Sequence, residues 1–195
     1  YSIILLMDTI LTGEWYTDSY IMYDYLSQLH LVTGNERSGT KFFNREKNSK
    51  KPESTLFGYT WRRNMGKGIR EFDEEKQLYK TKLMSENPEL LTLFKEFSNH
   101  YFSWFEWNNV QINYMPIGTV MKQHLDKKNV GESYLIAFGA YKGGDTYVEN
   151  KKDRNFTLYD CRVAPLVFNG SERKHGVSTV QDDDRYSLVF FNNTK

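Results

Sequence analysis

The chain has 195 residues, enough for one domain with a sizeable core. Aromatic residues make up 16% of it and the formal net charge is +1, so no global field advertises a polyanionic partner, although a local basic patch is compatible with that total. The one cysteine, Cys161, excludes an internal disulfide and reads as a small buried residue rather than a nucleophile.

Residues 3–10 read as a strand. Their apolar run, Ile3 to Met7, is too short to span a membrane and lacks the basic flank of a signal peptide. Residues 18–30 fit a helix capped by Asp18 or Ser19, with Ile21, Tyr25, Leu26 and Leu29 on one face. Residues 34–55 are polar and basic apart from Phe42-Phe43, and are expected to form a long exposed loop. Asn87-Pro88 marks a helix start, with Asn87 as cap. Leu90, Leu91, Phe94, Phe97 and Tyr101 then recur at helical spacing and are read as core packing.

From residue 110 the period changes to two. Strands are predicted at 111–116, 121–126, 133–139, 144–148, 156–160, 163–168, 172–177 and 185–191, with glycine-bearing turns between them. About eight short strands in such a span suggest a double-sheet jelly roll. The expected class is α+β, a double-stranded β-helix core over 110–195 with a helical buttress and variable loop region over 1–109. All of 1–195 is read as one domain, expected to be monomeric.

The chemistry centres on His124-Leu125-Asp126 and the distant His175. On a strand, residues i and i+2 face the same side, so His124 and Asp126 can bind one ion, with His175 arriving from another strand. Two imidazoles and a carboxylate on one face suit Fe(II) and leave positions for a co-substrate and dioxygen. No thiolate joins the set, which argues against structural zinc. His30 and His100 fall in helical segments and are read as structural. Arg185, with Ser187 two residues on, could grip a dicarboxylate such as 2-oxoglutarate. The alternative for Arg185 is a salt bridge to Asp182, Asp183 or Asp184.

The run Ile112-Asn113-Tyr114-Met115-Pro116-Ile117-Gly118 before His124-Leu125-Asp126 resembles AlkB-type and Tet/JBP-type oxygenases. Residues 124–131 and Ala137 to Asp145 look like the Tet/JBP family, and the late arginine pattern of the AlkB type is missing. The resemblance covers roughly 58–191 and is specific over 110–191. It implies an Fe(II)- and 2-oxoglutarate-dependent dioxygenase that uses dioxygen on the 5-methyl group of a pyrimidine in DNA, either 5-methylcytosine or thymine. It implies His124, Asp126 and His175 as iron ligands and Arg185 with Ser187 at the 2-oxoglutarate tail. Asn113 is either a further co-substrate residue or a satisfied strand asparagine.

A methyl group inside a duplex must be flipped out to reach a recessed iron. Trp61, Arg62 and Arg63, with Lys67 and Arg70 nearby, could contact the strand. Asn129 sits where an amide could read the base edge, or it could merely turn the loop. Such a protein would work inside the cell in a DNA-containing compartment such as the nucleus. RNA, a free nucleobase or a protein side chain are alternative targets, and a non-catalytic jelly-roll binding module is a further reading.

Overall fold

A computed structural model describes residues 11–29, 42–61 and 70–193. The strand predicted at 3–10, His30, residues 34–41, Arg62, Arg63 and Lys67 lie outside the described residues.

In chain order the elements are α1 (Trp15–Gln28), β1 (Phe43–Arg45), β2 (Glu53–Thr60), β3 (Phe72–Asp73), β4 (Leu78–Lys80), α2 (Lys82–Glu86), α3 (Glu89–Tyr101), β5 (Asn109–Met115), β6 (Thr119–His124), β7 (Asn129–Phe138), β8 (Lys142–Gly143), β9 (Thr146–Glu149), β10 (Phe156–Tyr159), β11 (Leu166–Phe168), β12 (His175–Val177), β13 (Val180–Gln181) and β14 (Arg185–Asn193). A seven-stranded sheet runs β11-β7-β14-β5-β2-β4-β3 and a five-stranded sheet runs β1-β6-β12-β9-β10. Among the described residues all the pairings are antiparallel. Among the described residues no helix is long and apolar enough to cross a membrane.

The period-two pattern sorts the larger sheet into two faces. Val110, Ile112, Ile136, Phe138, Leu188 and Phe190 point toward the helices and join Leu26, Leu90, Phe94 and Phe97 in one core. Met115, Leu135 and Ala137 point the other way, into a second core with Phe168 of β11 and with Val148 and Val177 of the smaller sheet. The functional side chains discussed below sit on that second, inter-sheet face.

Phe94 anchors the helical layer. It is fully buried, with its ring edge-on to Phe57 at 5.3 Å and to Phe190 at 6.0 Å. Phe94→Ala is expected to cost about 3–5 kcal/mol, read as a drop in unfolding midpoint in urea.

Several expectations need correction. The stretch 34–55 is not all loop, because β1 and the start of β2 fall within it. β2 lies inside the larger sheet between β5 and β4, so the sheet framework is not confined to 110–195. Ser54 and Thr55 are buried rather than solvated, and Ser54 donates to Asn113 Oδ1 at 2.6 Å. The first helix begins earlier than residue 18, with Glu14 as its cap, accepting from the amides of Tyr16 and Thr17. Asp18 instead sits buried inside it, accepting from the Thr12 and Gly13 amides and the Tyr101 hydroxyl. Burial raises its pKa, but these hydrogen bonds outweigh burial and hold the carboxyl below its usual range. Asn87 closes α2, donating to Leu83 O, and does not cap α3.

Candidate metal and co-substrate site

β6 and β12 are neighbours, and His124 stands opposite His175 in their register. The imidazole centroids are 4.3 Å apart. Asp126 was expected on the same strand as His124. The strand stops at His124, and Asp126 lies in the following turn, where its amide donates to Gly170 O at 2.8 Å. That bond turns the carboxylate toward both rings. Asp126 Oδ1 is 3.8 Å from His124 Nε2 and Oδ2 is 3.4 Å from His175 Nε2. One ligand atom from each residue falls within 4.8 Å of the others.

This donor set fits a divalent iron. His124 Nδ1 lies 2.8 Å from Lys122 O, and His175 Nδ1 lies 3.0 Å from Arg173 O. A carbonyl can only accept, so each contact places a proton on Nδ1 and turns Nε2, the nitrogen available to a metal, toward Asp126. An ion there meets two imidazole lone pairs and a carboxylate. Phe42 stacks on the His124 ring at 4.3 Å and 16°, and Phe168 meets the His175 ring edge-on at 4.9 Å. Gly170 keeps the cradle clear, since a Cβ there would stand 3.3 Å from His175 Cε1 and 3.4 Å from Asp126 Oδ2.

Arg185, the first residue of β14, is 1% exposed. Its Nη2 is 3.3 Å from Thr146 Oγ1 and its Nη1 is 3.8 Å from Met115 Sδ, while Nε has no hydrogen-bond partner among the described residues. The neighbouring acids do not neutralise it. Asp184 accepts from the Tyr114 hydroxyl at 2.8 Å and from Lys50 at 3.4 Å, and Asp182 pairs with Lys142 at 2.7 Å. Asp160 is held by the fork of Arg162, at 2.9 and 2.7 Å. A buried guanidinium without its own carboxylate is costly, and an incoming anion would relieve it. Tyr141 presents its ring 5.7 Å from the Arg185 guanidinium. Gly144, at φ +63°, packs against both, for a Cβ there would be 2.9 Å from the Tyr141 ring and 3.2 Å from Arg185 Cδ.

Thr146 precedes Val148 by two residues on β9, and Val148 pairs with His175. Two residues of strand span roughly 7 Å, so a short dicarboxylate could join the guanidinium to the triad. Ser187 and Asn113, both buried, face each other across β14 and β5 on the same inter-sheet face, with Asn113 Nδ2 3.4 Å from Ser187 Oγ. Ser54 and Gln111 extend that hydrogen-bonded chain.

Asn129 opens β7, buried, with its amide donating to Asp126 O at 2.9 Å. Its Nδ2 donates to Ser133 Oγ at 3.3 Å and its Oδ1 has no hydrogen-bond partner among the described residues. Trp61, 38% exposed, follows β2. Cys161 is buried, which pushes its thiol pKa up and keeps it unreactive.

Sequence reasoning missed Thr146, Tyr141 and Phe42. The pair Phe42-Phe43, apolar within a polar stretch, was the available signal for the last of these.

The fold is that of the 2-oxoglutarate- and iron-dependent oxygenases. The chain is similar to an oxidoreductase of the 2OG-Fe(II) oxygenase family from Burkholderia pseudomallei, 18% identical over 88% of this chain and 77% of that one, with a TM-score of 0.52. It is also similar to OsALKBH1, 12% identical over 93% and 95% of the two chains, with a TM-score of 0.50. NgTET1, in complex with 5mC DNA, matches over 72% of this chain and 61% of that one at 17% identity, with a TM-score of 0.47. No protein-family model and no curated protein matches the sequence.

Proposed function

We propose that the chain is an Fe(II)- and 2-oxoglutarate-dependent dioxygenase that oxidises the 5-methyl group of a pyrimidine in DNA. The observation that carries the reading is the pairing of the His124, Asp126, His175 cradle with a buried guanidinium that has no carboxylate partner among the described residues. When bound, iron with 2-oxoglutarate and dioxygen supplies the oxidant that converts C–H to C–OH, leaving succinate and carbon dioxide. His124, Asp126 and His175 would hold the iron, and the Lys122 and Arg173 carbonyls keep both imidazoles turned to it. Arg185 and Thr146 would receive the distal carboxylate of the co-substrate, and Ser187 with Asn113 would line its length.

The resemblance over 110–191 supports a pyrimidine methyl as the target. Asn129 refines the choice. With Nδ2 engaged by Ser133, its Oδ1 is an unused acceptor, buried in this structure, that a bound base would have to uncover. Cytosine offers an N4 donor where thymine offers an acceptor, so this orientation favours 5-methylcytosine. The test is nucleoside mass spectrometry of DNA carrying both bases after incubation with the chain, Fe(II), 2-oxoglutarate and ascorbate. 5-Hydroxymethylcytosine is the expected product. 5-Hydroxymethyluracil alone would overturn the base assignment, and succinate with both bases intact would move the target to RNA, a free nucleobase or a protein.

A further inference from the structure

Three turns lie side by side at the end of the five-stranded sheet that carries the triad. Residues 125–128 follow β6 and are tied to the next turn by the Asp126 amide on Gly170 O. Residues 169–174 lead into β12, and Lys174 O accepts from the Glu149 amide at 2.8 Å. Residues 150–155 join β9 to β10 and meet the middle turn through Lys151 and Glu172, 2.7 Å apart.

Lys127, Lys128, Lys151, Lys152, Arg154 and Lys174 all project from these turns and are exposed. The acids beside them are occupied. Glu172 holds Lys151, Glu149 holds Arg154 at 3.3 Å, and Asp153 accepts from the Asn155 amide at 3.0 Å. Lys127, Lys128, Lys152 and Lys174 have no carboxylate partner among the described residues. A chain with a net charge of +1 therefore concentrates unneutralised positive charge at one place, directly beside Asp126 and His175.

We infer that this rim binds the phosphodiester backbone of a nucleic acid and so presents a nucleotide to the triad. The inference rests on the nucleic-acid reading of the site. Cations on three adjacent turns can engage successive phosphates, and lysines do so without regard to sequence. Phe156 separates a nucleic acid from an acidic protein as the occupant. It is the first residue of β10, directly after the 150–155 turn, 39% exposed, with its ring edge-on to Tyr147 at 5.6 Å. An exposed ring beside a basic turn is a stacking platform for an unpaired base.

The experiment is fluorescence anisotropy with unmethylated duplex and single-stranded oligonucleotides, on the full chain without iron, between about 50 and 200 mM salt. Binding is expected to weaken with salt. The double variants Lys127→Glu/Lys128→Glu and Lys152→Glu/Lys174→Glu should each lower duplex affinity about tenfold or more at the low end and reduce the salt slope by about two. Lys95→Glu, on the exposed side of α3, should bind as the parent does. Phe156→Ala should weaken single-strand binding more than duplex binding.

Absence of binding at low salt, binding unchanged in both double variants, or equal displacement by polyglutamate would overturn the inference. The probe carries no methylated base and needs no iron, so the two readings fail separately. Rim-dependent binding without base oxidation rejects the methyl chemistry alone. Oxidised 5-methylcytosine with binding indifferent to the rim variants rejects the rim alone.

Discussion

Alanine at His124 or at Asp126 is expected to abolish iron-dependent succinate formation while leaving the fold in place. Each change removes one of three converging donors. Loss of a residue that merely orients a metal ligand already costs about 10- to 100-fold in metal affinity or activity, so loss of a ligand should exceed that. The fold should survive because neither side chain belongs to either hydrophobic core, and the Asp126 amide keeps its bond to Gly170 O whatever its side chain. Calorimetric titration with Fe(II) under anaerobic conditions and far-ultraviolet circular dichroism read the two halves of this statement. Parental activity in either variant would remove the metal assignment.

Arg185→Met should split stability from function. The guanidinium is 1% exposed with no carboxylate partner among the described residues, so an apolar side chain of similar length should leave the unliganded chain as stable or more stable. The co-substrate requirement should rise steeply. Removing one partner of a buried charge pair costs about 2–5 kcal/mol, roughly 30-fold to several-thousand-fold in affinity. In the parent, 2-oxoglutarate at 100 times its dissociation constant should stabilise the fold by about 2.7 kcal/mol. At the same concentration the variant should keep about a third of that shift or less, about 0.9 kcal/mol for a 30-fold loss and nearly none for a thousandfold one. An unchanged KM for 2-oxoglutarate, or an unchanged thermal shift, would show that Arg185 is not the carboxylate partner.

How far the sequence disclosed this site follows from its physics. The positions of His124, His175 and Arg185 on strands were legible from the short apolar runs and glycine-bearing turns around them, although burial does not alternate along β6 or β12. Asp126 was legible as a companion of the two histidines but misplaced, because the strand ends two residues before it and a backbone bond to Gly170, distant in sequence, sets its aim. β2 was hidden for another reason. Residues 54–59 are buried continuously, so no alternation marks the strand, and its polar Ser54 is satisfied by Asn113 from β5. Thr146 and Tyr141 were invisible because their roles come from where Arg185 folds back, which no local pattern encodes. The basic rim was masked by a near-neutral composition, since its lysines are scattered over the chain and converge only when three turns align.

The most direct test of the whole account is the stoichiometry of succinate to oxidised base. The chain is incubated aerobically with Fe(II), limiting 2-oxoglutarate and DNA containing 5-methylcytosine, and both products are quantified by mass spectrometry. Succinate and 5-hydroxymethylcytosine should form in a ratio near one, and both should vanish when the iron is chelated. An iron-loaded, folded chain that forms no succinate would contradict it.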